Sequence, residues 1–99
     1  MKDLHKISLL IDAYGSLLTN KKLEYIKMHY FEDLSLSEIA KINNVTKNAI
    51  YDSIKITLLE LENYEEKLKI IFKMKQRFKL YDLIKDDEVK KKLIQMDKV

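Results

Sequence analysis

Leu36-Ser37-Glu38-Ile39-Ala40-Lys41-Ile42-Asn43-Asn44-Val45-Thr46-Lys47-Asn48-Ala49-Ile50-Tyr51 is the stretch on which the fold turns. Two short helices that meet closely need a small residue at the contact, and Ala40 stands there. The chain between them must reverse through a residue that tolerates positive φ, a role Asn44 fills less easily than glycine would. Thr46 has the chemistry of an N-cap, able to accept from a free backbone N–H two or three residues on. Ser35 and Glu38 have capping-box spacing at the start of the first helix. Val45 and Ile50 are then expected to bury, from the turn and from the second helix. The pattern reads as a helix-turn-helix spanning about residues 35–55.

The rest of the 99-residue chain fits one small all-α domain. It has no Pro, no Cys and one Gly, Gly15, and its apolar residues recur at three- and four-residue steps. A first helix is expected from Asp3 to Leu18, burying Leu4, Ile7, Leu10, Ile11, Tyr14, Leu17 and Leu18, with Gly15 crowded by a neighbouring helix. A second should begin at Thr19 or Asn20 and run to Phe31, with Leu23, Ile26, Tyr30 and Phe31 inward. After a loop at Glu32-Asp33-Leu34 come Leu36–Asn43 and a helix starting after Thr46, whose buried face is Ile50, Ile54, Leu58 and Leu61. A weak boundary at Asn63-Tyr64 divides a four-helix core, 1–62, from a helical extension, 63–99. The extension holds a helix over about Tyr64–Leu83, continuous with its predecessor or bent at Asn63. Asp86-Asp87 can cap a final helix to Met96, with a frayed end.

The helix over Tyr64–Leu83 is apolar around most of its circumference, through Leu68, Ile70, Ile71, Phe72, Met74, Phe78, Leu80, Tyr81, Leu83 and Ile84. One face can cover the first helix; the remainder calls for a partner helix, most simply in a homodimer, or for a wider core within the chain. No run of apolar residues is long enough for a membrane span, and the N-terminus has no secretory pattern. With no cysteine, a reducing cytoplasmic setting is expected.

Catalytic chemistry finds little footing. His5 and His29 lack metal-ligand spacing, one glycine cannot build a phosphate loop, and the Glu65-Glu66 and Asp86-Asp87-Glu88 groups read as solvated acids. No cofactor, metal or small-molecule substrate is expected, and no enzyme activity.

Groove reading by the second helix of the hairpin would use its exposed N-terminal residues. These are Thr46, Lys47, Asn48, Tyr51, Asp52 and Lys55. Lys47 suits a phosphate or guanine and Asn48 an adenine edge, while Thr46 offers a hydroxyl and Lys55 a backbone contact. Asp52 opposes this, because a duplex repels a carboxylate; each position also reads as solvated helix surface, and for Lys55 and Asp52 that reading is at least as good as a contact. The net charge of +3 lies elsewhere: residues 1–45 balance, 46–62 carry −1, and 63–99 hold eleven basic against seven acidic groups. Within 67–79, Lys69, Lys73, Gln76 and Arg77 have helical spacing for a positive ridge. Such a ridge suits DNA, RNA or an acidic partner, or merely keeps an apolar helix in water.

A wider set of residues adds a resemblance. Leu17-Leu18-Thr19-Asn20-Lys21, His29-Tyr30-Phe31-Glu32-Asp33-Leu34-Ser35-Leu36-Ser37-Glu38-Ile39-Ala40, Val45 through Lys55, and Leu61-Glu62-Asn63-Tyr64-Glu65-Glu66-Lys67-Leu68 together resemble the YlxM family. That family is similar to the DNA-binding region 4 of sigma factors, a winged-helix-like class here without a wing. The resemblance implies a regulatory helix-turn-helix protein of the signal recognition particle pathway, because the family's genes lie beside those of the particle's GTPase or its receptor. It implies DNA, or the particle's RNA or protein, as partner, and no catalysis. The alternative is a protein-binding accessory of the GTPase or RNA in which the hairpin is only scaffold. Three departures bear on this. Asn43 replaces a bulky apolar residue and should loosen the hairpin, Ile56 replaces a basic residue, and Lys47 replaces an Arg and its forked geometry.

Overall fold

The computed structural model describes residues 3–97, all of whose regular structure is helical. The order is α1 (Leu4–Tyr14), α2 (Asn20–Tyr30), α3 (Leu36–Asn43), α4 (Lys47–Leu68), α5 (Ile70–Tyr81) and α6 (Asp87–Met96), with one 3-10 turn at Gly15–Leu17. The fraying expected at the C-terminus falls on Lys98 and Val99, outside the described residues. The molecule is elongated, 54 × 25 × 22 Å.

Short polar side chains begin most of the helices. Asp3, Thr19, Ser35, Thr46 and Asp86 each accept from backbone N–H groups of the following turn, which would otherwise lack partners. Ser35 and Glu38 form the reciprocal box foreseen, at 2.8 and 3.1 Å. The backbone N–H and hydroxyl of Ser35 hold the Glu38 carboxyl below the usual carboxylate range. Ser35→Ala should lower stability by about 1 kcal/mol, seen as a lower urea midpoint.

α4 is the spine, touching α1, α2, α3 and α5. Two apolar clusters lie along it. One joins Ile7, Leu10, Ile11, Tyr14, Ile26, Leu61 and Ile71 from α1, α2, α4 and α5, with Leu18 from the link between α1 and α2. The other joins Ile39, Ala40, Ile50 and Ile54 across α3 and α4. Tyr30 and Leu58 pack against both, so the clusters are continuous through the middle of α4. A Lys22–Glu60 ion pair adds a polar tie between α2 and α4.

Several expectations need correction. α1 ends at Tyr14, and the 3-10 turn rotates Leu17 outward; Leu4 at the other end is also half-exposed. Gly15 begins that turn, and a Cβ there would lie 3.3 Å from Ile11 and 3.4 Å from Leu23 of α2, the crowding anticipated. Phe31 caps α2 from outside and is exposed. Leu58 is partly rather than fully buried; the inward α4 position between Ile54 and Leu61 is taken by Thr57, whose hydroxyl donates to the Ser53 carbonyl at 2.7 Å.

Of the two courses expected at Asn63, continuous or bent, the structure takes the continuous one. α4 continues to Leu68, and the break falls at Lys69, left-handed at φ 55°, ψ 33°. That conformation costs a lysine about 1–2 kcal/mol. It persists because Glu65 reaches across the break, its carboxylate accepting from Tyr14 hydroxyl at 2.5 Å and from the N–H groups of Ile71 and Phe72 at 3.1 Å each. Burial pushes the Glu65 carboxyl up, but the Tyr14 bond, the two amide bonds and nearby Lys75 outweigh it and hold the group low. A carboxyl depressed in the folded state contributes stability above its unfolded value, about 4.3, and loses it as pH falls through the folded value. Glu65→Gln should therefore flatten the fall in urea midpoint below about pH 4.3.

Candidate nucleic-acid interface

The tip of the molecule is built by three local choices. α3 ends where Asn44 turns left-handed at φ 55°, ψ 45°. Val45 N–H then donates to the Ala40 carbonyl at 3.0 Å and Asn44 N–H to Lys41 at 3.3 Å, the paired bonds of a Schellman ending. Thr46 accepts from Ala49 N–H at 3.1 Å and starts α4. Beneath the turn, Ile39 and Ile50 are fully buried against Ala40 and Ile54.

Val45 departs from expectation. The residue is 40% exposed, on the outer side of the turn rather than in the core. Asn43 does not leave a gap, since its amide donates to the Ile39 carbonyl at 2.8 Å and lies 3.9 Å from the Met28 sulfur on α2. That places a polar tie where loosening was expected.

Thr46, Lys47, Asn48, Tyr51, Asp52 and Lys55 are all exposed on the first turns of α4. Lys47, Asn48, Tyr51 and Lys55 step by one, three and four residues, so they lie on adjoining rows of one helix surface. Thr46 spends an oxygen lone pair on its cap and keeps its O–H to donate. Among the described residues, Lys47 and Lys55 take part in no ion pair. Asp52 sits within this surface and Ile56 borders it, exposed.

The ridge on the next helix is not assembled as expected. Lys69 is the break itself, not a position on α5. Lys73 and Gln76 are exposed on α5, while Arg77 is held by Asp97 just after α6, at 2.7 and 3.3 Å. Tyr81 hydroxyl donates to the same carboxylate at 2.7 Å. Arg77, then Tyr81, hold the Asp97 carboxyl below its ordinary range. The spacing of the four residues could not reveal a carboxylate twenty positions further on.

One feature escaped sequence reasoning. An apolar hollow of about 360 Å³ runs beside α4, lined by His29, Tyr30, Leu36, Tyr51, Ile54, Lys55, Leu58, Leu59 and Glu62. Its α4 residues recur at i, i+3, i+4, i+7, i+8 and i+11, a stripe visible in the sequence once α2 is known to leave one side open.

A short α3, a three-residue turn capped at both ends and an exposed start to α4 define a helix-turn-helix protein. A family model described as "Putative helix-turn-helix protein, YlxM / p13 like" matches residues 1–99. The chain belongs to this family, UPF0122. It is 50% identical to a UPF0122 protein of Malacoplasma penetrans (strain HF-2) over 95 residues, covering 96% of this chain and 89% of that one. A UPF0122 protein of Desulforamulus reducens is 51% identical over 79 residues, 80% of this chain and 68% of the other. One from Ureaplasma urealyticum serovar 10 is 49% identical over 84 residues, 85% of each. Among the described residues no helix is long and apolar enough to cross a membrane.

Proposed function

We propose that this protein is a cytoplasmic, non-catalytic regulator that binds duplex DNA through the start of α4. The observation that supports it most is the exposed surface of Thr46, Lys47, Asn48, Tyr51 and Lys55 carried on a buried Ile39–Ile50 contact. Lys47 pairs with a phosphate or guanine and Asn48 with adenine; Thr46, Tyr51 and Lys55 hold the backbone. Asp52 selects against positions where it would face a phosphate. The extension, residues 63–99, serves a homodimer through exposed Leu68, Ile70, Phe72, Leu80 and Leu83. Two copies of the tip would then read two half-sites. We assign this activity to the signal recognition particle pathway on the strength of the sequence resemblance alone.

A second reading is favoured by the apolar hollow. A stripe from Tyr51 to Glu62 of this size suits an amphipathic segment of a protein, as an accessory of the particle's GTPase or its RNA–protein complex would need. In that case Lys69 and Lys73 meet the RNA backbone, and the tip is scaffold.

Affinity capture from cells separates the two. With the DNA reading, sequenced nucleic acid is enriched for DNA, and Lys47→Ala with Asn48→Ala loses it. Recovery of particle RNA or GTPase, lost in Lys69→Glu with Lys73→Glu and kept in the tip variant, rejects the DNA reading.

A further inference from the structure

Three consecutive amides follow the break between α4 and α5. In an uninterrupted helix Ile70, Ile71 and Phe72 would donate to the carbonyls of Glu66, Lys67 and Leu68. Here Ile70 N–H donates to the Tyr14 hydroxyl oxygen at 3.1 Å, Ile71 to one Glu65 oxygen and Phe72 to the other. Lys69 N–H still bonds Glu65 carbonyl at 2.8 Å, and Lys73 N–H bonds Lys69 at 2.9 Å. Two side chains therefore collect every amide that the break releases, and one of them comes from α1, more than fifty residues away.

Nothing local asks for the break. Residues 64–72 contain no Gly or Pro, and Glu65, Glu66, Lys67, Leu68 and Lys69 are good helix formers. The left-handed conformation at Lys69 is one that glycine adopts freely and lysine does not. Local preference and long-range bonding oppose each other at this one junction, a conflict that ordinary folded segments avoid.

We propose that residues 65–72 form a two-state elbow. In the bent state described here, Glu65 and Tyr14 hold the break open and Ile71 sits in the core beside α1. In the straight state Lys47–Tyr81 is one helix. Straightening exchanges three side-chain bonds for three ladder bonds, relieves Lys69 and withdraws Ile71. The apolar surface of α5, with Ile70, Phe72 and Leu80 exposed, swings with it relative to the tip of α4. An apolar helix that grips α5 in only one of the two directions selects that state, and so sets where the tip points. The elbow does not depend on what the tip binds.

The chain has no cysteine, so Asp52→Cys with Lys79→Cys places two spin labels alone, on exposed positions of α4 and α5. A straight helix separates these positions by about 40 Å, and the bent form brings them closer. Pulsed electron–electron resonance should give mainly the shorter distance in this double-cysteine protein. Glu65→Ala should shift at least half the population to the longer one, and Tyr14→Phe, which keeps its ring, a smaller share. Adding Lys69→Gly to Glu65→Ala should restore the short distance. A single unchanged short distance in both Glu65→Ala and Tyr14→Phe, with helical circular dichroism retained, would overturn the proposal. So would a failure of Lys69→Gly to reverse the shift.

Discussion

Tyr14→Ala should lower the stability of the domain by about 3–5 kcal/mol, the range for removing a large buried aromatic side chain. Tyr14 is fully buried in the larger cluster, its ring 5.9 Å from that of Tyr64. Its hydroxyl donates to Glu65 and accepts from Ile70, so the substitution empties core volume and also strips an amide and a carboxylate of a partner. Burial first, then the Glu65 bond, pushes the phenol above its ordinary value, so it stays a donor throughout the neutral range. Tyr14→Phe isolates the polar part and should cost about 1–3 kcal/mol. Urea unfolding with an unchanged slope would report both as losses of stability rather than changes in the unfolded chain. Equal midpoints for Tyr14→Phe and the parent would show that the hydroxyl bonds carry no stability.

The second large effect is expected at Ile50. It is fully buried where α4 crosses α3, against Ile39, Ala40 and Ile54. Ile50→Ala should cost about 2–5 kcal/mol. For a domain of this size each kcal/mol lowers the melting temperature by about 4–8 °C. The loss should loosen the α3–α4 contact before the α1 cluster, because α3 buries only Ile39 and Ala40. Amide exchange in α3 should therefore accelerate more than in α1. Equal acceleration in both would mean that the two clusters unfold as one unit.

These two positions also separate what is legible in the sequence from what only the packed fold decides. The boundaries of α3, its capping box, the left-handed Asn44 and the Thr46 cap were all legible, because each is decided within three or four residues. Ile50 and Ile54 were legible from period alone. Val45 was not: its exposure depends on which way the turn faces, which period and capping do not fix. Phe31 and Leu17 failed for a related reason, since each lies just past the end of a helix, where the period stops applying. The break at Lys69 was beyond local reasoning altogether. Its cause is a pair of side chains, Tyr14 and Glu65, that meet only after α1 packs on α4. The exposed tip residues were legible as a surface, whereas the neutralisation of Arg77 by Asp97 required the position of α6.

The binding claim rests on the start of α4, and fluorescence anisotropy of labelled duplex DNA across a range of salt concentrations addresses it directly. The protein should bind with affinity that falls steeply as salt rises. Lys47→Ala with Asn48→Ala should weaken it by about tenfold or more and reduce the salt slope by about one, with the urea midpoint unchanged. Equal affinity and equal slope for parent and variant, or no duplex binding by the parent at low salt, would contradict a DNA-reading tip.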